Sequence, residues 1–269
     1  MLQVSDRLRA RGRRIGVVPT MGALHEGHLS LIRRAARECD TVIVTIFVNP
    51  LQFGPREDFR RYPRPLTRDL RLAASAGATL AFVPSAVALY PPRFRARIKA
   101  GALGSVWEGK ARPGHFNGVA TVVAILFALT KPHRAYFGQK DWQQTLVIRQ
   151  LIRDLGLSIT LRVLPTIREP DGLAMSSRNA YLSMKERGQA LALRRALLAG
   201  RRAIRRGEHQ ASRVETAMRR AATDVRLQYA AAVDAATLAR QGRLSRQTAL
   251  IIAATVGKTR LIDNLLVDV

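Results

Sequence analysis

The chain of 269 residues is 47% hydrophobic and 6% aromatic, which is typical of a globular protein with one large domain and a smaller one. Its formal charge of +26 favours anionic partners, but the arginines occur as short pairs on polar helix faces without interleaved aromatic residues, so nucleic acid is not the expected partner. A single cysteine excludes an intrachain disulfide, and the absence of a signal-peptide core or a bilayer-length apolar run indicates a cytoplasmic protein with no membrane partner.

Apolar stretches of strand length alternate with helical patterns over the first 165 residues or so. This alternation predicts repeated β-α units and an α/β domain with a Rossmann-like parallel sheet. The predicted strands are RIGVVP at 14–19, TVIVTIFV at 41–48, ATLAFVP at 78–84, RAYF at 134–137 and SITLRVLP at 158–165. The predicted helices cover 28–40, 66–77, 118–130 and 141–156, and the first has Leu29, Ile32, Ala36 and Cys39 on its apolar stripe.

The pattern changes near residue 167. Two helical stretches, at 183–207 and 211–224, follow each other without a strand between them, and two apolar segments come next, at 227–238 and 248–257. This change predicts a smaller C-terminal α+β domain. We therefore place the larger domain at 1–166 and the smaller one at 167–269.

The segment PTMGALHEGHLSL, at 19–31, places His25 and His28 where a strand meets an amphipathic helix. Main-chain N–H groups and the dipole at a helix start attract phosphate, and an imidazole there can donate a hydrogen bond to it. A zinc site is one alternative, although the metalloprotease pattern needs histidines four apart, and His115, His133 and His209 stand alone. A loop without a chemical role is the other alternative.

Two further segments have residues suited to phosphate. FGQKDWQQ, at 137–144, opens a helix with a glycine, with Lys140 as a point charge and with Asp141, which can cap the helix or accept from a ribose hydroxyl. DGLAMSSRN, at 171–179, follows a turn with two hydroxyls and an arginine, a combination that serves as an N-cap or as a clamp for a polyphosphate. Three such segments at junctions of predicted elements favour a nucleotide site over the alternatives.

A set of segments in family order, from about residue 15 to 264, resembles the pantothenate synthetase (pantoate–β-alanine ligase) family. These segments are VPTMGALHEGHLSL, IFVNPLQFG, YPRPL, EGKARPGHFNGVATVV, YFGQKDWQQTLVIRQL, DGLAMSSRNAYL and RLIDN. The H-x-G-H and S-S-R pieces alone indicate the wider nucleotidyltransferase superfamily, and NPLQFG with GQKDWQQ narrows the resemblance to this family.

The resemblance implies a two-step reaction. The carboxylate of pantoate attacks the α-phosphate of ATP and releases pyrophosphate, and the amine of β-alanine then attacks the pantoyl-adenylate to give pantothenate and AMP. Residues 1–166 would then bind nucleotide and pantoate, and residues 167–269 would form a lid-like domain. The implied catalytic residues are His28 as proton donor, His25 on the phosphates and Lys140 on the α-phosphate.

The resemblance also implies the binding residues. The ATP-binding residues would be Met21, Gly22, Ala23, Leu24, His25, Glu26, Gly27, His28, Gly138, Gln139, Lys140, Asp141, Ile167, Met175, Ser176, Ser177 and Arg178. Gln52 and Gln144 would bind pantoate through their amides, with Gln52 also near β-alanine. ATP would bring Mg²⁺ with it and no protein metal site is expected, since Arg68 precedes Asp69 where the family often has neighbouring acids.

The resemblance further implies a homodimer. The sequence begins about nine residues later than the family leads us to expect, so either an N-terminal strand is absent or the start is misassigned. Two other functions remain open: an adenylate-forming enzyme of the same superfamily that acts on another small acid, and a basic nucleic-acid-binding protein without catalysis.

Overall fold

A computed structural model of the chain describes residues 1–55 and 57–269, and these fall into two compact units. The first unit comprises Met1–Gly138 and Gln143–Pro165, and the second comprises Gln139–Trp142 and Thr166–Val269. By its contacts, the short stretch Gln139–Trp142 is thus grouped with the carboxyl-terminal part of the chain, although it precedes most of a first-unit helix.

The first unit is built on a parallel five-stranded sheet. Its strands are β1 (Ile15–Thr20), β2 (Thr41–Ile46), β3 (Leu80–Phe82), β4 (Arg134–Gly138) and β5 (Thr160–Leu164). They lie in the order β3-β2-β1-β4-β5, and β1 pairs with β2 along its full length. The chain therefore builds outwards from β1 in one direction and then returns to build on its other side. The strand order therefore reverses between the neighbouring strands β1 and β4. This is the topological switch point, and such sheets bind ligands there, beyond the carboxyl ends of the strands.

Helices cover this sheet. They are α1 (Leu2–Ala10), α2 (Glu26–Glu38), α3 (Leu66–Ser75), α4 (Ala86–Leu89), α5 (Glu108–Ala111), α6 (His115–Thr130) and α7 (Trp142–Asp154). Helix α6 is buried over most of its surface, in a cluster with residues of β1 and β4 such as Val17 and Ala135. Helix α2 packs beside β1 and β4 in a second cluster that includes Val18 and Tyr136. Burial on both faces explains why β2 reads as a continuous β-branched run.

The sequence prediction of a parallel α/β sheet is confirmed, with local corrections. Helices α1, α4 and α5 were not predicted, and α2 begins at Glu26 and not at residue 28. Helix α6 begins at His115 and not at Gly118, because Gly114 has a φ of 82° and caps the helix from the left-handed region that suits glycine. On α2, Ala36 is exposed while Ala35 is buried, and Cys39 lies beyond the last helical residue in extended conformation.

The second unit is α+β, as the sequence predicted. Its main elements are α8 (Met184–Arg205), α9 (Ala211–Ala221), β6 (Arg226–Asp234), β7 (Gln247–Val256) and β8 (Thr259–Asp268). The strands form an antiparallel sheet in the order β6-β7-β8, and both helices pack on it around buried residues such as Leu197, Met218 and Leu250. Strand β8 was not predicted, since polar residues such as Asp263 and Asn264 interrupt its apolar pattern.

No helix within residues 1–55 and 57–269 combines the length and the hydropathy needed to cross a bilayer.

Candidate active site

The loop after β1 is held by one buried carboxylate. Gly22 and Ala23 both have positive φ, 84° and 50°, so this main chain departs from the conformations most residues adopt. Asp69, which is fully buried, accepts hydrogen bonds from Ala23 N and Leu24 N, each at 2.8 Å. A side-chain carboxylate thus takes up both donors of the unusual turn and fixes where the next residues begin. Sequence reasoning considered Asp69 only as a neighbour of magnesium and missed this role.

The two histidines cap helix α2. His25 is the N-cap residue, and its Nδ1 accepts from Gly27 N at 3.2 Å, while His28 Nδ1 accepts from His25 N at 3.3 Å. The rings lie 4.2 Å apart between centroids. A main-chain N–H can only donate, so each Nδ1 must accept and cannot carry a proton. The single ring proton of the neutral imidazole is then on Nε2. Each histidine therefore carries an Nε2–H donor at the start of α2.

The reciprocal capping explains the spacing of three between the histidines. In a capping box the N-cap side chain bonds to the third helical residue or its neighbour, and the side chain of that third residue bonds back to the N-cap main chain. Glu26 pairs instead with Arg33 along the exposed side of α2. The sequence prediction that His25 and His28 act as a pair is consistent with this geometry, and their role on phosphate stays a prediction.

Gln52 ends a single helical turn, Pro50–Gln52, that follows β2. Its carboxamide is buried: Oε1 accepts from Asn49 Nδ2 at 3.1 Å, and Nε2 points at the sulfur of Met21, 2.9 Å away. Met21 is the first residue after β1, so the structure places Gln52 beside the histidine loop. Asn49, which sequence reasoning did not single out, is the residue that orients this amide.

The two neighbouring glutamines of α7 differ in their surroundings. Gln143 is buried, and it donates to Leu103 O and Val106 O while it accepts from Glu108 N, so its amide is used to hold a loop. Gln144 is half-buried, and its side chain forms no hydrogen bond with any residue that the structure describes. Of the two, Gln144 has the amide that is not used within the fold, and its role on pantoate stays a prediction.

Residues 139–141 form one helical turn of the second unit. Asn264, buried on β8, donates from Nδ2 to Gln139 O at 2.9 Å and to Lys140 O at 2.8 Å. The ammonium group of the half-buried Lys140 forms no ion pair with the described residues. Asp141 is exposed. A carboxamide about 125 residues away in sequence thus fixes the backbone of this turn, a role that sequence reasoning missed.

Ile167 and Met175 are paired across a tight hairpin, with Met175 N donating to Ile167 O at 3.0 Å. The hairpin is anchored by Arg168, which forms a two-pronged ion pair with Asp263 at 2.7 and 2.9 Å. The turn Ser177–Tyr181 follows, and Ser176 caps it by accepting from Arg178 N. The structure therefore brings together the predicted residues Ile167, Met175 and 176–178 in one short stretch of the second unit.

The part of the chain that the structure describes contains no group of three or more His, Cys, Asp and Glu side chains placed to hold a metal ion. His115 was considered in the sequence only as a possible metal ligand. In the structure it is hydrogen-bonded to Gln52 O at 2.8 Å, so it belongs to the surroundings of a predicted substrate residue. The sequence signal for this role is the segment ARPGHFNG, which contains His115 and contributed only to the resemblance.

A parallel sheet that reverses its order at the central strand, with a capped helix start directly after that strand, defines a Rossmann-like α/β protein. Sheets of this kind bind ligands beyond the carboxyl ends of their strands. The family model for pantoate-beta-alanine ligase matches residues 1–266. The chain therefore belongs to the pantoate–β-alanine ligase family.

Individual relatives agree with this. A pantothenate synthetase of Rubrobacter xylanophilus is 55% identical, with 97% of this chain and 94% of that protein covered. The crystal structure of pantothenate synthetase from Thermus thermophilus is 47% identical and superposes with a TM-score of 0.92 over 97% of this chain and 96% of the other. A Francisella tularensis pantoate-beta-alanine ligase, solved in complex with beta-gamma ATP and β-alanine, is 36% identical, with a TM-score of 0.79 over 98% and 95% of the two chains.

Proposed function

We propose that this protein joins pantoate to β-alanine at the expense of ATP, with pantoyl-adenylate as the intermediate and AMP and pyrophosphate as the other products. The observation that carries the proposal is the match of the family model to residues 1–266. The Francisella tularensis relative with bound beta-gamma ATP and β-alanine supports the choice of two of the substrates.

In the first step, a carboxylate oxygen of pantoate attacks the α-phosphorus of ATP, and the bond from that phosphorus to the bridging oxygen of pyrophosphate breaks. Negative charge grows on the phosphate oxygens as this happens. Donors that are already in place stabilise such charge most, because they need no reorganisation. The Nε2–H groups of His25 and His28, fixed by the capping hydrogen bonds, are donors of this kind.

Lys140 supplies the positive charge in our proposal. Its main chain is fixed by Asn264, and its ammonium is not neutralised by any carboxylate of the described residues. Ser176, Ser177 and Arg178 bind the polyphosphate, Ile167 lies on the adenine side, and Gly138 with Asp141 contacts the adenosine. A Cβ added at Gly138 would meet no atom within 4 Å, so there is open space for a ligand beside its main chain.

Gln52 and Gln144 hold pantoate through neutral amides in this scheme. An amide can satisfy hydroxyls and a carboxylate without adding a positive charge that would weaken the nucleophile. In the second step the uncharged amine of β-alanine attacks the acyl carbon and forms the amide bond. The bond from that carbon to the phosphate oxygen breaks, AMP leaves with this oxygen, and the proton that the amine loses passes to solvent. Mg²⁺ accompanies ATP as part of the substrate.

The test is an assay of AMP formation in which pantoate, β-alanine and ATP are each omitted in turn. We expect AMP only when all three are present. Exchange of pyrophosphate into ATP should require pantoate and should occur without β-alanine. Exchange that requires a different acid would favour another adenylate-forming enzyme. Steeply salt-dependent binding to duplex DNA or RNA, without AMP formation, would favour a nucleic-acid-binding protein.

The same assay tests the residues. His28→Ala and Lys140→Ala should each slow adenylate formation by roughly two to four orders of magnitude, the scale of losing one transition-state contact. His209→Ala and Lys131→Ala are matched controls, since His209 is a histidine outside the predicted site residues and Lys131 is an exposed lysine paired with Asp6. Unchanged exchange in His28→Ala or Lys140→Ala would remove that residue from its assigned role.

A homodimer in the cytoplasm completes the proposal. It follows from the family resemblance and is tested by light scattering of the purified protein at several concentrations, where a mass near twice the 29.8 kDa of the chain is expected. A monomeric mass at every concentration would contradict it.

A further inference from the structure

The turn that carries Gln52 has weak restraints of its own. The main-chain hydrogen bonds inside it, from Gln52 N to Asn49 O and from Phe53 N to Pro50 O, are both 3.4 Å long. Bonds of this length contribute little to holding a geometry. The position of the turn must therefore be set by groups outside it.

The side chains of Arg112 and His115 both bind the main-chain carbonyl of Gln52. His115 Nδ1 lies 2.8 Å from Gln52 O, and Arg112 Nη2 donates to the same oxygen at 3.3 Å. At the preceding residue of the turn, α6 approaches so closely that a Cβ on Gly118 would stand 2.2 Å from Leu51 O. The turn is thus held by the first residues of α6 and by the segment just before it.

The proton positions on His115 follow from its partners. A carbonyl oxygen only accepts, so Nδ1 carries the proton, and the guanidinium of Arg112 only donates, so Nε2, which is 3.0 Å from Arg112 Nη1, must be the acceptor. Burial and the neighbouring charge of Arg112 lower the pKa of His115 to about 4. The ring is therefore neutral at physiological pH, and it links the guanidinium to the carbonyl of Gln52.

Arg112 is itself held by Glu57. The two side chains form a fork-to-fork pair, with Nε 2.9 Å from Oε1 and Nη2 2.5 Å from Oε2, and their side chains are 15% and 24% exposed. Such a bidentate pair fixes the plane of the guanidinium as well as its position. Glu57, Arg112 and His115 together form one connected network, which we call the Gln52 clamp.

The direction of the Gln52 amide is fixed as well. Asn49 Oδ1 accepts from Leu51 N and from Tyr90 OH, and Asn49 Nδ2 donates to Gly118 O. A main-chain N–H can only donate and a carbonyl oxygen can only accept, so Leu51 N and Gly118 O determine the orientation of the Asn49 amide. Asn49 Nδ2 then requires an oxygen from Gln52, and this turns Gln52 Nε2 toward Met21. With the main chain clamped and the amide oriented, the donor of Gln52 has one direction.

We infer that Glu57, Arg112 and His115 are positioning residues for the acid substrate: by clamping the main chain of Gln52, they place its carboxamide where pantoate binds. This inference rests on the proposed function, since it takes Gln52 as a pantoate-binding residue. None of the three residues needs to contact pantoate, and their effect reaches it only through Gln52.

The measurement is pantoate-dependent pyrophosphate exchange, with KM determined separately for pantoate and for ATP. His115→Ala and Arg112→Ala should each raise the KM for pantoate about 10- to 100-fold, the scale of misplacing a binding group by about 1 Å, and leave the KM for ATP at the wild-type value. His115→Asn keeps an N–H donor near the position of Nδ1 and should recover part of the affinity. If the alanine variants do not fold, Arg112→Lys, which keeps the charge but loses the fork, replaces them.

A double-mutant cycle decides whether the effect passes through Gln52. In a Gln52→Ala background, His115→Ala should add no further increase in the KM for pantoate, because the group it positions is already absent. Leu126→Ala, a core change three turns along α6, is the control for lost stability, and it should leave the KM for pantoate unchanged at temperatures where it is folded.

Two results would overturn the inference. The first is an unchanged KM for pantoate in folded His115→Ala, Arg112→Ala or Arg112→Lys protein. The second is an equal increase caused by His115→Ala with and without Gln52. Failure of the proposed function looks different, since the wild-type protein would then show no pantoate-dependent exchange at all.

Discussion

The two regions that carry the predicted phosphate-binding groups are held by opposite kinds of side chain. In the first unit, the loop before His25 turns two main-chain N–H groups toward the carboxylate of Asp69. In the second unit, the turn at Lys140 directs two main-chain carbonyls toward the carboxamide N–H₂ of Asn264. Both supports are buried, and each one satisfies two main-chain groups of a loop whose own side chains are needed elsewhere.

The difference between the two supports follows from what each loop has left over. The histidine loop leads into a helix, whose first N–H groups lack intrahelical partners, so the main chain near it has donors in excess and an acid serves it. The turn at 139–141 lies at the end of a strand and leaves carbonyls in excess, so an amide with two donors serves it. The supporting residue is thus chosen by main-chain chemistry, and exchanging acid for amide at either place is a nearly isosteric test of it.

The largest effect is expected from Asp69→Asn. The substitution keeps the shape of the side chain but turns an N–H₂ group toward one of the two N–H donors of Ala23 and Leu24, which leaves a buried donor unsatisfied and removes the strong charge-assisted bonds. We expect adenylate formation to fall by about two to three orders of magnitude, because His25 and His28 lose their place. The measurement is pyrophosphate exchange at saturating ATP and pantoate.

Asp40→Asn is the matched control for that change. Asp40 also accepts a main-chain hydrogen bond, from Arg14 N at 2.7 Å, but it is exposed and lies before β2, at the amino ends of the strands. Its substitution should leave exchange at the wild-type rate. Equal losses in both variants would mean that Asp69 acts only on stability.

A smaller effect is expected from Asn264→Asp. The substitution replaces the two N–H donors of Asn264 Nδ2 with a carboxylate oxygen that faces the carbonyls of Gln139 and Lys140. Their repulsion pushes the turn away from β8. Exchange should slow by about 10- to 100-fold, the scale of displacing one contact. Protonation of the introduced acid restores one donor, so the loss should be smaller in acidic buffer. A rate equal to wild type at neutral pH would show that the backbone of Lys140 is held by other groups.

These supports also mark the limit of what the sequence predicts. The strands β1 and β2 and the body of α2 could be predicted because their signals are local: a β-branched run and apolar residues at helical spacing. The start of α2 was predicted at residue 28, two residues after Glu26, and its capping by the two histidines was not predicted. The residues expected to touch ligand fall in short motifs too, but several of them, such as Gln52 and Gln144, were implied only by the family resemblance, and their roles stay predictions. Asp69 and Asn264 could not be given their roles, because each acts on a main chain 45 to 125 residues away and the sequence carries no sign of that pairing.

The same reasoning explains the errors within the fold. Strand β8 was missed because Arg168 pairs with Asp263, and Asn264 bonds to the 139–140 turn, so polar residues that looked like a break in the pattern are satisfied inside the second unit. The predicted start of helix α6 was three residues too late because a glycine such as Gly118 is typical of a helix boundary. In the structure Gly118 lies within the helix, where its missing side chain lets the helix approach the carbonyl of Leu51.

The smallest effect on the site is expected from an acid that supports the fold away from it. Glu38, at the end of α2, pairs with Arg34, Arg134 and Arg162 and accepts from Tyr136 OH at 2.9 Å. Burial opposes its ionisation, but the hydrogen bonds from Arg34 and Tyr136 and the nearby arginine charges outweigh burial and lower the pKa of Glu38 from 4.5 to about 2. Arg134 begins β4, so this cluster lies at the amino end of that strand, whereas the histidine loop follows the carboxyl end of β1.

A lowered pKa in the folded state fixes the direction of the pH dependence. The ionised form of Glu38 is favoured by folding, so its contribution to the free energy of unfolding is fully present above a pH of about 4.5 and is lost as the pH falls toward about 2. Glu38→Gln should therefore unfold at lower urea concentration than wild type at neutral pH, and the difference should narrow between about pH 5 and pH 2. Pyrophosphate exchange at neutral pH should be unchanged in the folded variant. A loss of exchange comparable to that of Asp69→Asn would contradict the distinction between acids that hold the fold and acids that hold the site, because it would make the cluster at Glu38 part of the machinery that orients the histidines.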